Sequence, residues 1–266
     1  MAEPMIERAL KRDQWIVIAA LAAVIALSWI YIASLAQTLM PAAPAMGSMP
    51  GMAMKAPPPA FAFLFAMWAV MMVGMMTPSA APMVLIYARV ARGAAAQGKV
   101  FAPTIWFALG YLAVWIGFSL AAAAAQLLLQ RAALMTPMMA LAAPRAAGAV
   151  LIAAGLYQWT PLKDSCLSRC RSPLHFVQDH GGFKPGSFAC VRLGALHGLY
   201  CLGCCWTLML LLFAAGIMNL IWIAALTALV LSEKALPTGR WLARAAGGAF
   251  VILGVIMIWS NTDLIG

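Results

Sequence analysis

The chain has 266 residues, of which 65% are hydrophobic and only 9% charged. A soluble domain carries roughly 25% charged residues, so this chain has too little charge to clothe a water-facing surface. Its net charge of +10 then points to membrane topology and anionic lipid head groups, and not to nucleic acid.

Apolar blocks of about 20 residues recur along the chain, each long enough for a bilayer core. They are continuous and rich in Ala, Leu and Met, unlike the short alternating segments of a β-barrel. The expected fold is all-α, a polytopic transmembrane helical bundle of about seven spans. The candidate spans are 15–40, 61–88, 103–130, 145–159, 193–215, 219–232 and 241–261. The first is too long for a signal-peptide core and lacks a clear cleavage site, so it reads as a retained span.

Lys and Arg orient these spans. Of the 17 Lys and Arg residues, only Lys55, Arg131 and Arg145 fall on one side of the alternation. The rest lie on the other, which predicts a cytoplasmic N-terminus and an outside C-terminus. The chain then divides into a cytoplasmic tail (1–14), a first span (15–40), a Met/Pro-rich outer loop (41–60) and a membrane helical domain (61–266). That domain carries a cytoplasmic Cys/His loop at 161–192.

Soft ligands recur in chain order. In the outer loop, Met46, Met49, Met52 and Met54 lie in MGSMPGMAM. Thioethers are uncharged soft donors that select Cu(I), although a surface-lying flexible loop would look similar. In the second span, Met67, Met71 and Met75 share a helical stripe that Met72 and Met76 broaden. Such a stripe is also ordinary packing filler. Pro78 and Pro82 interrupt the same helix, where freed carbonyls and a bend suit a site or gate.

The cytoplasmic loop carries Cys166-x3-Cys170, spaced for one helix face. Thiols there are expected to be reduced, which favours metal binding over a structural disulfide. Arg169 and Arg171 beside them are expected to lower the thiol pKa. The stretch HGLYCLGCCW then places His197, Cys201, Cys204 and Cys205 at i, i+4, i+7 and i+8 of a helix. Imidazole and thiolates form a soft set suited to Cu(I), Zn(II) or an iron–sulfur cluster. One helix rarely supplies a whole coordination sphere, so partners from Cys166, Cys170, His175, His180 or Cys190 are expected. The same spacing also fits small cysteines packing a helix seam, or redox thiols. Glu233 and Lys234 read as an interfacial pair, and Asn219 as a helix N-cap.

The runs 155–176 and 194–239, with MWAVMMVGMMTPSAAPMVLIYAR (67–89) upstream, resemble a bacterial family of predicted metal-binding integral membrane proteins of unknown function (domain of unknown function 2182). The resemblance covers roughly residues 60–260. It implies a membrane fold and a metal, with Cys166, Cys170, His197, Cys201, Cys204 and Cys205 as the motif positions.

The expected function is soft-metal binding, with copper first and zinc as the alternative, for transport across or delivery at the bacterial inner membrane. The partners expected are the metal ion, membrane lipid, and a metallochaperone or a membrane copper enzyme. No Ser-His-Asp set, phosphate loop or paired-carboxylate site argues for an enzyme. A membrane thiol oxidoreductase, a metal-dependent membrane enzyme, and a structural or assembly subunit are the rival readings.

Overall fold

The structure, a computed structural model, describes residues 3–39, 60–96, 102–136, 139–182 and 186–260. Its named elements are helices: α1 (Glu3–Leu39), α2 (Phe61–Ala96), α3 (Thr104–Arg131), α4 (Pro144–Tyr157), α5 (Pro161–Arg171), α6 (Pro173–Asp179), α7 (Ser187–Ala215), α8 (Leu220–Ala235) and α9 (Gly239–Trp259). The Met46–Met54 loop lies outside the described residues.

Helix starts follow the local chemistry. Pro144, Pro161 and Pro173 open α4, α5 and α6, where a missing N–H leaves no hydrogen bond unmade. The Thr160 side chain accepts from the Lys163 N–H and caps α5. Asn219 caps α8 as expected, accepting from the Trp222 N–H at 3.2 Å.

Five helices, α1, α2, α3, α7 and α9, contain stretches long and apolar enough to cross a membrane. The 14 residues of α4 and 16 of α8 rise about 21 and 24 Å, less than a ~30 Å hydrocarbon core. Segment 161–192, expected as a loop, folds largely into α5, α6 and the start of α7.

α7 packs against α3, α4, α5 and α8, and this makes it the organising helix. Its approach to α3 is backbone to backbone. A Cβ on Gly110 would collide with the Val191 carbonyl, and one on Gly194 with the Phe107 carbonyl. Glycines at such a seam let membrane helices gain van der Waals contact that no apolar solvent effect supplies.

A second relation sets the register of the site. α7 and α8 are joined by a short turn, Gly216 to Asn219, and run antiparallel as a hairpin. Cys201 lies 14 positions before the last residue of α7 (215 − 201), and Lys234 lies 14 positions after the first residue of α8 (234 − 220). Equal counts on two helices of equal rise place the two residues at one level.

Candidate metal centre

The central core holds Met67, Met71, Met72, Met75 and Met76 of α2 together with Cys201, Cys204 and Cys205 of α7. Each of these residues is at most 1% exposed. The methionine stripe therefore faces the bundle interior, not lipid, and shares that interior with the cysteine stripe.

Tyr111 of α3 joins the two. Its hydroxyl donates to the Met76 carbonyl at 3.1 Å and lies 3.0 Å from Cys201 Sγ. Lys234 of α8 approaches the same sulfur, its Nζ 2.9 Å from Cys201 Sγ and 3.1 Å from Ser79 Oγ. Ser79 directly follows Pro78, and against expectation neither Pro78 nor Pro82 interrupts α2, which runs unbroken from Phe61 to Ala96. Four helices thus meet at Cys201.

α5 brings the second cysteine pair. Gly203 exposes a bare patch of α7, and Cys166 Sγ fills it. A Cβ on Gly203 would stand 2.8 Å from that sulfur. The Tyr157 hydroxyl donates to the Gly203 carbonyl and ties the end of α4 to the same patch. Cys170 is an electrostatic neighbour of Cys204, as are Cys204 of Cys205 and Cys205 of Cys201. The Cys204 and Cys205 thiols also donate to the Cys201 carbonyl at 3.0 Å. Thiols from two helices thus lie in a row that ends at Lys234, half-buried on α5 and buried on α7.

Other soft residues take different places. His197 is 3% exposed and sits among the rings of Phe107, Tyr111 and Phe176, with centroids 6.1, 5.8 and 5.2 Å away. Its Nδ1 has no hydrogen-bond partner. Cys190 belongs to a separate core cluster with Tyr87 and Phe107. His180 is held by a 2.7 Å contact from Nδ1 to the Phe176 carbonyl, and His175 is exposed. Among the described residues, no three His, Cys, Asp or Glu side chains surround one point as a ready-made ion site.

The two arginines beside Cys166 and Cys170 do not bring these thiols below their ordinary pKa. Burial pushes the Cys166 thiol up, Cys204 adds to the rise, and Arg169 opposes it only weakly. Cys170 is pushed well up by neighbouring Cys204 and then by burial. The guanidiniums are engaged elsewhere. Arg169 pairs with Asp179 at 3.1 Å and lies over the Tyr200 ring. Arg171 donates to the Leu236 and Pro237 carbonyls at 2.7 and 2.8 Å, and so clamps α5 to the α8–α9 turn.

The charged residues are also arranged differently from the sequence expectation. Glu233 and Lys234 do not pair with each other. Glu233 accepts from Lys163 of α5 at 2.7 Å, with both side chains only 1% exposed, while Lys234 turns to Cys201. Neighbours on a helix point about 100° apart, so one reaches α5 and the other α7. Lys163, Ser79 and Tyr111 escaped the sequence reading as members of the site, and Lys234 was read only as half of an interfacial pair. The usable signal was the hairpin count that places position 234 level with 201.

A family model, PpoB2, described as a copper chaperone, matches residues 65–257. The chain belongs to this family. The PpoB2 match takes in all six cysteines, the five α2 methionines, Tyr111, Lys163, Gly203 and Lys234; it leaves out α1 and the outer methionine loop. It ties the chain to copper, and a row of soft thiols has the donor chemistry that copper(I) selects. No curated protein and no solved structure matches the chain.

Proposed function

We propose that this chain is a multi-pass inner-membrane copper chaperone, which receives Cu(I) and hands it to a partner at the membrane. The copper ion is its cargo. In this reading the bundle crosses the membrane seven times, α4 and α8 included, with the N-terminus in the cytoplasm. Met46, Met49, Met52 and Met54 capture the ion outside. Met71, Met72, Met75 and Met76 pass it inward, and the cysteines of α5 and α7 hold it.

The observation that carries the reading is the meeting of Cys166 and Cys170 with Gly203 and Cys204, inside the segment that matches a copper-chaperone family. Residues about 30 positions apart bring half-buried and buried thiols to one place. A packing seam needs small side chains, but it does not need them to be sulfur on both faces. The ligand ladder has a sensible gradient: neutral thioethers hold Cu(I) loosely and thiolates hold it tightly. His197 has an unpartnered Nδ1 one turn before Cys201, and in this reading it serves as an auxiliary donor.

A metallochaperone or a membrane copper enzyme would take the ion onward. Elemental analysis of detergent-purified protein tests the reading under reducing conditions. Near-stoichiometric copper is expected in the native chain and not in a Cys201/Cys204/Cys205→Ser variant. Zinc in its place, or equal copper in both proteins, would overturn it. The Cys170–Cys204 proximity favours one rival, a thiol oxidoreductase. That rival requires a disulfide between these two residues that forms and reopens, which mass spectrometry after alkylation would reveal.

A further inference from the structure

The charges around the thiol string have a definite balance. Lys163 and Glu233 form a buried pair that cancels. Lys234 remains, its ammonium 2.9 Å from Cys201 Sγ and steadied by Ser79. One positive charge is therefore fixed against the ligand set, at the edge of an interior that disfavours uncompensated charge.

The bound ion enters this count. When Cu(I) binds two thiols, both lose their protons to solvent, and two thiolates with one monovalent ion carry a net charge of minus one. Lys234 brings that to zero. A third thiolate on the same ion would leave a buried negative charge without a counterpart. Among the described residues no three His, Cys, Asp or Glu side chains gather round one point, which suits an ion with two ligands.

We propose that Lys234 is a charge-balancing residue that tunes this site to a monovalent soft ion held by two thiolates, Cys201 and one neighbouring cysteine. The proposal rests on the copper reading above and adds the ion's charge and coordination number. Lys234 acts through Cys201 and is a positioning residue. It keeps its hydrogen bond to the Cys201 sulfur after the ion arrives, because a metal-bound thiolate still accepts a hydrogen bond. Arginine keeps the charge at this position, and methionine keeps the bulk without it.

The test uses the full chain in detergent, with Cu(I) titrated against the chelator bicinchoninate under reducing conditions. Lys234→Met is expected to weaken Cu(I) binding about tenfold or more, and Lys234→Arg to hold it within about threefold. X-ray absorption of the copper-loaded native chain is expected to find two sulfur neighbours. Native-like affinity in Lys234→Met overturns the proposal, as does a shell of three or four sulfurs. The sulfur count decides the matter even where Lys234→Met does not fold. Native-like copper binding by Cys201→Ser would instead remove the copper reading, and this proposal with it. Loss in Cys201→Ser with no change in Lys234→Met would remove only the role of Lys234.

Discussion

The sulfur of Cys166 occupies the place where a side chain at Gly203 would begin. α5 is seated on α7 through this contact, since the Gly203 Cβ position lies 2.8 Å from Cys166 Sγ. The glycine is spatial, not conformational: it sits within a regular helix.

Gly203→Ala is expected to push Cys166 off α7 while leaving the helix intact, because alanine is the better helix former by about 1 kcal/mol. Cys166 should then react faster with maleimide, and copper affinity should fall severalfold. Native labelling rates in the variant would show that α5 yields at no cost and that the contact is incidental.

Breaking the Lys163–Glu233 pair should be costly. Either Glu233→Gln or Lys163→Met leaves a buried group without its partner, a loss of roughly 3–5 kcal/mol. Replacing both with apolar residues of similar volume should recover most of that. Thermal unfolding in detergent reads all three variants. Additive losses in the double variant would argue that the two residues act separately.

Met71 and Met75 separate packing from chemistry. Leucine conserves their volume, and each swap should cost under about 1.5 kcal/mol. The Met71→Leu/Met75→Leu protein is therefore expected to fold normally and to pass copper to the cysteines severalfold more slowly in proteoliposomes. An unchanged transfer rate would leave the α2 methionines as core filler.

Burial holds the Cys166 thiol above the ordinary cysteine value of 9.0, as a neutral group. A pKa raised by folding stabilises the fold fully below that ordinary value, and the benefit is lost as pH rises through the folded value. Copper binding runs the other way, since thiols must release protons to bind it. Apparent Cu(I) affinity should climb with pH, by up to about tenfold per unit for each proton released, between about pH 6 and 8. A flat profile would mean that the ligands are already thiolates.

The legible part of this protein is what one helix can say about itself. The i, i+4, i+7, i+8 spacing marks a single stripe, and His197, Cys201, Cys204 and Cys205 are indeed all buried. The apolar blocks mark the long helices, and the Cys166–Cys170 spacing matches α5. What one helix faces is harder to read. Glu233 and Lys234 are adjacent and opposite in charge, so proximity in sequence suggests a pair, yet each has a better partner on another helix. The weak effect of Arg169 on Cys166 was hidden for the same reason, since Asp179 and Tyr200 engage its guanidinium.

The α7–α8 hairpin acts as a measuring device. Because Cys201 and Lys234 are equidistant from the turn, the helical count on either side of it decides which residue of α8 stands opposite the cysteine. One residue inserted into α8 ahead of Lys234 would carry that lysine about 1.5 Å along the axis and roughly 100° around it, out of reach without touching either residue. A substitution in that stretch changes a side chain alone, whereas an insertion or deletion there disturbs the site. Through lineages of this chain, the number of residues from 201 to 215 and from 220 to 234 should therefore hold more firmly than their composition.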